Sequence, residues 1–321
     1  MGRPVHVKIT RPSHPGMIME KDPQNIITSP LGLAIAYAIG RYTPNWLGHR
    51  LTDLGADFIA SRKDWKMVQA ARLNQWVVRG ENPDQVALDA AVHENFRNTA
   101  RSIFDLYHNI NNPKVFSQII NVHPMAELII RRPEFAERGM VVTGVHMSNF
   151  DFIAQAAGMA GVKAMLFGLP DMDPAYRKQA EMRKEKGLNI VYASSGTIKQ
   201  AIKYLQNGGL VMTGIDRPDE SFLYRPMFFG HPAALPIHHI FMALKAQVPV
   251  LVGSVLWRPD GKYHFLFSEP IEMQPHPDRH QEIILNAERV LHIAEEFIRH
   301  DPSQWSMTFP VWPDVMDKVP K

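Results

Sequence analysis

The chain is predicted to fold as an α/β protein, a central mixed sheet flanked by helices with a helical region ahead of it. Three observations carry that prediction. Short β-rich runs alternate with helical stretches from Met140 onward, the pattern of strands in a sheet covered by helices. From Leu31 to about Asn111 the apolar positions instead recur at helical spacing, with no β-rich run among them. A composition of 45% hydrophobic and 21% charged residues over 321 positions belongs to an ordinary folded chain able to bury a large core.

Taken in order, residues 1–25 are rich in Pro, His and charge and are expected to be irregular. Residues 26–125 are expected to form a helical region with the character of a membrane-associating segment, and residues 126–321 an α/β domain of strands and helices. Pro23 to Gly40 carries no formal charge and Leu31 to Ile39 is largely apolar. Pro30 interrupts this run, leaving too few residues to cross roughly 30 Å of hydrocarbon as a helix. The segment reads as a helix that either packs on the domain or lies in the bilayer surface. Glu94, Phe96, Ala100, Ile103, Phe104 and Tyr107 recur at helical spacing, and Pro113 and Pro124 mark a connection before a helix from Met125 to about Ile130.

In the second half, strands are expected at Met140 to Val145, Lys163 to Phe167, Leu188 to Tyr192, Gly209 to Ile215, Val248 to Leu256 and Lys262 to Phe267. Helices are expected at Asn149 to Met159, Pro174 to Lys186, Thr197 to Gln206, Ala233 to Ala246 and Arg279 to Arg299. The stripe Ile284, Ala287, Leu291, Ala294 and Ile298 on the last of these is core packing.

Composition removes several classes of function. Without cysteine there is no disulfide, no thiolate zinc site and no cysteine nucleophile. A net charge of +3 with the fifteen histidines neutral is too mild to argue for nucleic acid. It suits an approach to anionic lipid or a phosphate-bearing substrate, although solvated lysines explain it equally well. His238 and His239 are adjacent and do not face one another on a helix. His276 and His280 have ligand spacing, but Pro275 and Pro277 break the helix it needs. With no His-Glu-x-x-His in the chain, neither a metal nor any other cofactor is expected. The Gly-x-Ser-x-Gly elbow of serine hydrolases does not occur either.

The most informative stretch is Val145-His146-Met147-Ser148-Asn149-Phe150-Asp151. A strand ends at Val145, and Ser148 or Asn149 is placed to cap the following helix. His146 then sits at the carboxyl edge of the sheet, where α/β folds place reactive groups. Asp151, in the first helical turn, is positioned to swing back to the imidazole. A carboxylate on one ring nitrogen fixes the tautomer and raises the basicity of the other. Backbone N–H groups at the helix start are candidates for an oxyanion or a phosphate. The chain holds a second His-x4-acid pair, His264 to Glu269. On an alternating strand that odd offset points the two side chains to opposite faces, about 16 Å apart, which dismisses it.

Residues 140–312 resemble the lipid A biosynthesis acyltransferase family, which includes phosphatidylinositol mannoside acyltransferase-like proteins, within the wider His-x4-Asp lysophospholipid acyltransferase group. Four blocks carry the resemblance. His146-Met-Ser-Asn149-Phe150-Asp151 is similar to the family's His-x-x-Asn-aromatic-acid signature, and Gly214-Ile-Asp216-Arg217 to its Asp-Arg block. Phe228-Phe229-Gly230-His-Pro232-Ala233 is similar to its Phe-Phe-Gly-x-Pro-Ala block, and Gln304-Trp305 with Pro310-Val-Trp312 to its tail.

The resemblance implies a lysophospholipid acyltransferase-like fold and an O-acyltransferase on the cytoplasmic face of the membrane. Acyl-CoA or acyl carrier protein is the implied donor and a membrane glycolipid or phosphoglycolipid the acceptor. His146 and Asp151 are then catalytic, with Asn149, Arg183, Asp216 and Arg217 binding substrate and Arg183 contacting phosphate. Plainer readings stand beside these. Asp216 and Arg217 also suit a structural salt bridge, and Arg183 a solvated face with Arg177, Lys178, Lys184 and Lys186. Phe228-Phe229-Gly230 reads as a turn and pocket wall. The Pro-Glu-Gly-Thr block of glycerolipid acyltransferases is absent, which argues against glycerol 3-phosphate as acceptor. A hydrolase of acyl thioesters or lysolipids, and a non-catalytic lipid-binding protein, are the alternative functions.

Overall fold

A computed structural model describes residues 30–109, 112–122, 138–159, 161–168 and 187–321, with 124, 180–181 and 183–185 between them. Its N-terminal part is helical: α1 (Pro30–Tyr42), α2 (Asn45–Ala60), α3 (Lys66–Val78), α4 (Gln85–Asn109) and α5 (Pro113–Ile119). The sheet strands are β1 (Ile120–Val122), β2 (Met140–Gly144), β3 (Ala164–Gly168), β4 (Asn189–Tyr192), β5 (Leu210–Gly214), β8 (Val250–Arg258) and β9 (Lys262–Phe267). A small hairpin, β6 (Met227–Phe228) and β7 (His231–Pro232), lies outside that sheet. The helices interleaved with them are α6 (Asp151–Met159), α7 (Ser195–Gln206), α8 (His238–Ala246) and α9 (Arg279–His300).

The seven strands lie in the order β1-β9-β8-β2-β5-β3-β4. Strands β8, β2, β5, β3 and β4 run parallel. Strand β9 pairs antiparallel with β8, and β1 parallel with β9, so the sheet is mixed, as expected. Apolar side chains of β2 alternate between its faces, as the pleat requires. Val141 joins a core with Val211, Val252, Leu205, Ile240 and Val290. Met140 and Val142 join Ala154, Met212 and Leu251 in another cluster. Both faces are covered, which is why these parallel strands read as nearly continuous apolar runs.

One helix start and one short strand differ from the sequence reading by more than two residues. The helix expected from Ala233 starts at His238, because Pro236 disfavours helical geometry at Leu235 before it and residues 233–237 form a connection instead. Strand β1, three residues long, is too short to show a period. The expected helix at Met125 to Ile130, residues 1–25 and most of Pro174 to Lys186 lie outside the described residues. Helix α1 packs on α4, with Gly40 seated against Tyr107 and Tyr37 edge-on to that ring at 5.5 Å. Among the described residues no helix is long and apolar enough to cross a membrane.

Buried amides tie the helical region to the chain's end. The Asn74 side-chain amide donates to the Met307 and Phe309 carbonyls at 2.9 and 2.8 Å, and its oxygen accepts from the Val311 amide at 3.1 Å. Asn95 donates to the carbonyls of Ser303 and Trp305 at 2.9 and 2.8 Å. On the other side of the core, His238 hydrogen-bonds Thr213 of β5 at 2.7 Å. His239 is buried with no partner on either ring nitrogen among the described residues. Burial lowers the His238 pKa to about 4 and takes that of His239 well below its ordinary value, His238 adding to the latter shift.

Two consequences are measurable. Asn74→Ala, which leaves buried backbone groups unpaired, is expected to lower unfolding free energy by about 3 kcal/mol in urea titrations. The buried histidines take up a proton more readily unfolded than folded, so stability falls as pH drops from about 6.5 to 4. The loss attributable to His238 is roughly 2 kcal/mol, given its partial exposure. A His238→Gln variant should show a flatter profile over that window in urea midpoints taken at stepped pH.

Candidate active site

Strands β2 and β5 pair in parallel, with Thr143 opposite Thr213 and Gly144 opposite Gly214. The pairing extends one step further, since the Ile215 amide donates to the Gly144 carbonyl at 3.2 Å. Both strands end alike, Thr143-Gly144-Val145 before His146 and Thr213-Gly214-Ile215 before Asp216. His146 and Asp216 therefore leave the carboxyl edge side by side. The His146 Nδ1 to Asp216 Oδ1 distance is 2.5 Å. Asp216 Oδ2 accepts from the His146 backbone amide at 2.7 Å and from the Trp305 indole N–H at 2.8 Å.

Asp216 is wholly buried. Burial pushes its carboxyl up, yet the charge of His146 and the hydrogen bonds from His146 and Trp305 outweigh this and hold it below the ordinary carboxylate value. It is a carboxylate at neutral pH. Accepting at Nδ1, it fixes the neutral imidazole as the tautomer protonated there, which leaves Nε2 with the lone pair. The imidazole is partly exposed and meets the Phe150 ring edge-on at 4.6 Å. Gly214 makes room for it, since a Cβ there would sit 3.3 Å from its Cε1.

The partner on the imidazole is thus Asp216, which corrects the expectation that Asp151 fills that place. Asp151 opens α6, and its Oδ1 accepts from Arg183 Nε at 2.8 Å and Nη2 at 2.5 Å. Both side chains of that pair are largely buried, so Arg183 belongs to the site's wall and not to a solvated basic face. Parallel register delivers Asp216 to His146 directly, whereas Asp151 lies beyond a turn in which Ser148 takes a left-handed φ of 45°. Asn149 makes a structural contact. It is buried, and its amide donates to the Ser102 carbonyl of α4 at 2.7 Å, so it anchors the turn. Arg217 lies with its guanidinium carbon 4.0 Å from the Phe309 ring centroid. The dismissed pair stays apart: His264 Nε2 instead bonds Asp260 at 2.8 Å.

The chain's end stitches this turn in place. The Ser148 amide donates to the Gln304 carbonyl and the Ser306 amide to the His146 carbonyl, both at 2.7 Å. Gln304 is held in turn by the Trp257 backbone on β8 at 2.8 and 3.0 Å. The amides of Met147, Ser148 and Phe152 are all committed within this framework, which narrows the helix-start donors available to an anion.

Hairpin β6–β7 supports the network from outside. Its loop residues Phe229 and Gly230 have φ of 49° and 79°, the left-handed pair that a tight two-residue hairpin requires. Buried Phe228 stacks on Trp312 at 5.5 Å and meets Trp305 edge-on at 6.1 Å. The hairpin accordingly acts on Asp216 through Trp305. Neither the Asp216–His146 contact nor Trp305's part in it was found by local sequence spacing; the matched strand endings were the available signal.

A family model described as bacterial lipid A biosynthesis acyltransferase matches residues 20–313. No curated protein sequence matches the chain.

Proposed function

The chain belongs to the bacterial lipid A biosynthesis acyltransferase family, enzymes that transfer acyl groups in lipid biosynthesis, and on that premise we propose that His146 and Asp216 form its catalytic pair. The donor is acyl-CoA or acyl carrier protein. The acceptor is a hydroxyl of a membrane glycolipid or phosphoglycolipid, met at the cytoplasmic face of the membrane. The observation that carries this reading is the buried Asp216 carboxylate on His146 Nδ1.

In this mechanism His146 Nε2 takes the proton of the acceptor hydroxyl as its oxygen attacks the thioester carbonyl, a general-base contribution of about 10²–10⁴-fold. Asp216 offsets the positive charge that develops on the ring and keeps the ring in place. Collapse of the tetrahedral intermediate expels the thiolate, which recovers the proton from the imidazolium. The amides of residues 149–151, in the turn that leads into α6 and at its first position, are assigned to the oxyanion. Asp151 serves one step away: it fixes Arg183, whose cation is placed to meet a substrate phosphate. Arg217, beside Phe309, is assigned to the same polar rim.

The test uses radiolabelled palmitoyl-CoA with total bacterial lipid. Label should move to lipid with the native protein and not with His146→Ala; free fatty acid alone would mean a hydrolase. Asp216→Asn, which keeps shape but removes charge, is expected to lower kcat by about 10²–10⁴-fold. Asp151→Asn should act mainly on KM by loosening Arg183. The reverse ranking, with Asp151→Asn as severe in kcat as His146→Ala and Asp216→Asn mild, would sink the assignment of the pair.

A further inference from the structure

A polar cluster lies buried behind the turn that follows His146. Asp105 of α4 is 8% exposed and Tyr263 of β9 only 2%. The Tyr263 hydroxyl donates to Asp105 Oδ2 at 2.5 Å, and Asp105 Oδ1 faces His49 Nε2 of α2 at 2.8 Å. Apolar rings wall the phenol in, Phe152 of α6 edge-on at 5.0 Å and Trp257 of β8 at 4.8 Å. Burial, with the charge of Asp105 beside it, holds the pKa of Tyr263 well above its ordinary value, so the hydroxyl keeps its proton for Asp105. Hydrogen bonds from the Asn149 and Ser102 side chains pull the other way, as donors to a phenol oxygen do.

Apolar residues would fill this space without the cost of desolvating a carboxyl group. What the polar cluster adds is direction. The Asn149 amide has two N–H bonds. One runs to the Ser102 carbonyl at 2.7 Å and the other meets the phenol oxygen, so the planar group is held at both. The backbone beside it needs such a hold. Ser148 has a φ of 45°, a left-handed conformation that a residue with a side chain keeps only where its surroundings impose it. From one side the Gln304 carbonyl accepts from the Ser148 amide at 2.7 Å. From the other, α4 and β9 hold Asn149.

We propose that Tyr263 and Asp105 are positioning residues for acyl transfer: through Asn149 they hold the turn after His146 in the geometry that presents the amides of residues 149–151 to the oxyanion. The inference rests on the acyltransferase reading and its oxyanion assignment. It is independent of the proton-transfer pair, since the hydrogen bonds of His146 and Asp216 involve neither residue. His49, with its side chain 37% exposed, takes the far oxygen of Asp105 and ties α2 to α4 outside the path to Asn149.

Tyr263→Phe removes the hydroxyl and keeps the ring between Phe152 and Trp257. In the palmitoyl-CoA assay its kcat should fall about 10–100-fold, the scale of a small misplacement at a reacting centre, with KM within about twofold. The pH at which kcat rises should not move, because His146 keeps its partner. Asn149→Ala should lower kcat similarly, and adding Tyr263→Phe to it should cost no more than about twofold further, since both act on one turn. His49→Ala removes a bond to the same carboxyl group but leaves Tyr263 and Asn149 in place, and its kcat should stay within about twofold of native. Hydrogen exchange read by mass spectrometry needs no substrate. In Tyr263→Phe the amides of residues 146–153 should exchange about tenfold faster than in the native chain, with those of β2 and β5 unchanged.

Native kcat in Tyr263→Phe overturns the inference, as does native exchange in the turn. So do fully additive losses in the double variant, or a fall in kcat from His49→Ala equal to that from Tyr263→Phe, which would make general loosening of α4 the cause. Failure of the catalytic reading looks different: His146→Ala would still transfer label. An inactive His146→Ala beside a fully active Tyr263→Phe would remove the positioning role alone.

Discussion

The parallel register of β2 against β5 is the constraint on which the site depends. His146 and Asp216 are 70 positions apart, and neither approaches the other through local chain geometry. They meet because Gly144 lies opposite Gly214 and each strand runs on by two residues. A slip of one residue would exchange the faces of β5, moving Val211 out of one core cluster and Met212 out of the other. The packing of ordinary apolar side chains thereby fixes the position of His146 and Asp216. Glycine at 214 completes it, since the imidazole occupies the space a side chain would need.

That register places a carboxylate where water does not reach, and a buried charge is stable only when its lone pairs are satisfied. Asp216 receives donors from the His146 backbone, the His146 ring and the Trp305 indole. Loss of one such donor costs roughly 1–3 kcal/mol, a sizeable fraction of the about 5–15 kcal/mol by which domains are stable. The chain's end is therefore a structural member of the site. Trp305 is wedged by Phe228 and Trp312, and its neighbours Gln304 and Ser306 bond the backbone on either side of Met147. Sequence blocks separated by up to about 160 positions form one hydrogen-bonded and aromatic network.

Much of the fold was legible because β-rich runs and helical periods are local signals. The strands from Met140 onward and the helix at Arg279 sit within two residues of their expected bounds. His146 stood out for the same reason, placed at a strand end before a helix. Its partner was not. A spacing argument searches within one helical turn and finds Asp151, while strand register operates across the whole domain. The repeated endings Thr-Gly-Val-His and Thr-Gly-Ile-Asp were in plain view, but such a match gains meaning only once two strands are known to be neighbours. Asn149's contact was hidden on similar grounds: a polar residue in a motif suggests substrate, and its bond to a backbone carbonyl on α4 depends on packing that the sequence does not display.

Helix α4 links the turn after His146 to the outer helices. Within six residues it offers the Ser102 carbonyl to Asn149, the Phe104 ring to Gly48, the Asp105 carboxylate to His49 and the Tyr107 ring to Gly40. Tyr263 of β9 donates to the same Asp105 at 2.5 Å, which ties the helix to the sheet. The ion pairs of Asp53 and Asp57 with Arg101 and Arg97 are about one-third exposed, so each adds at most about 1 kcal/mol to stability. With both carboxylates paired to arginines of α4, α2 is held to that helix by charge as well as by the close approach of Gly48. Tilting α2 would strain the contact of Gly48 with the helix that anchors Asn149, so the orientation of α2 and the position of the turn after His146 are set by a single element.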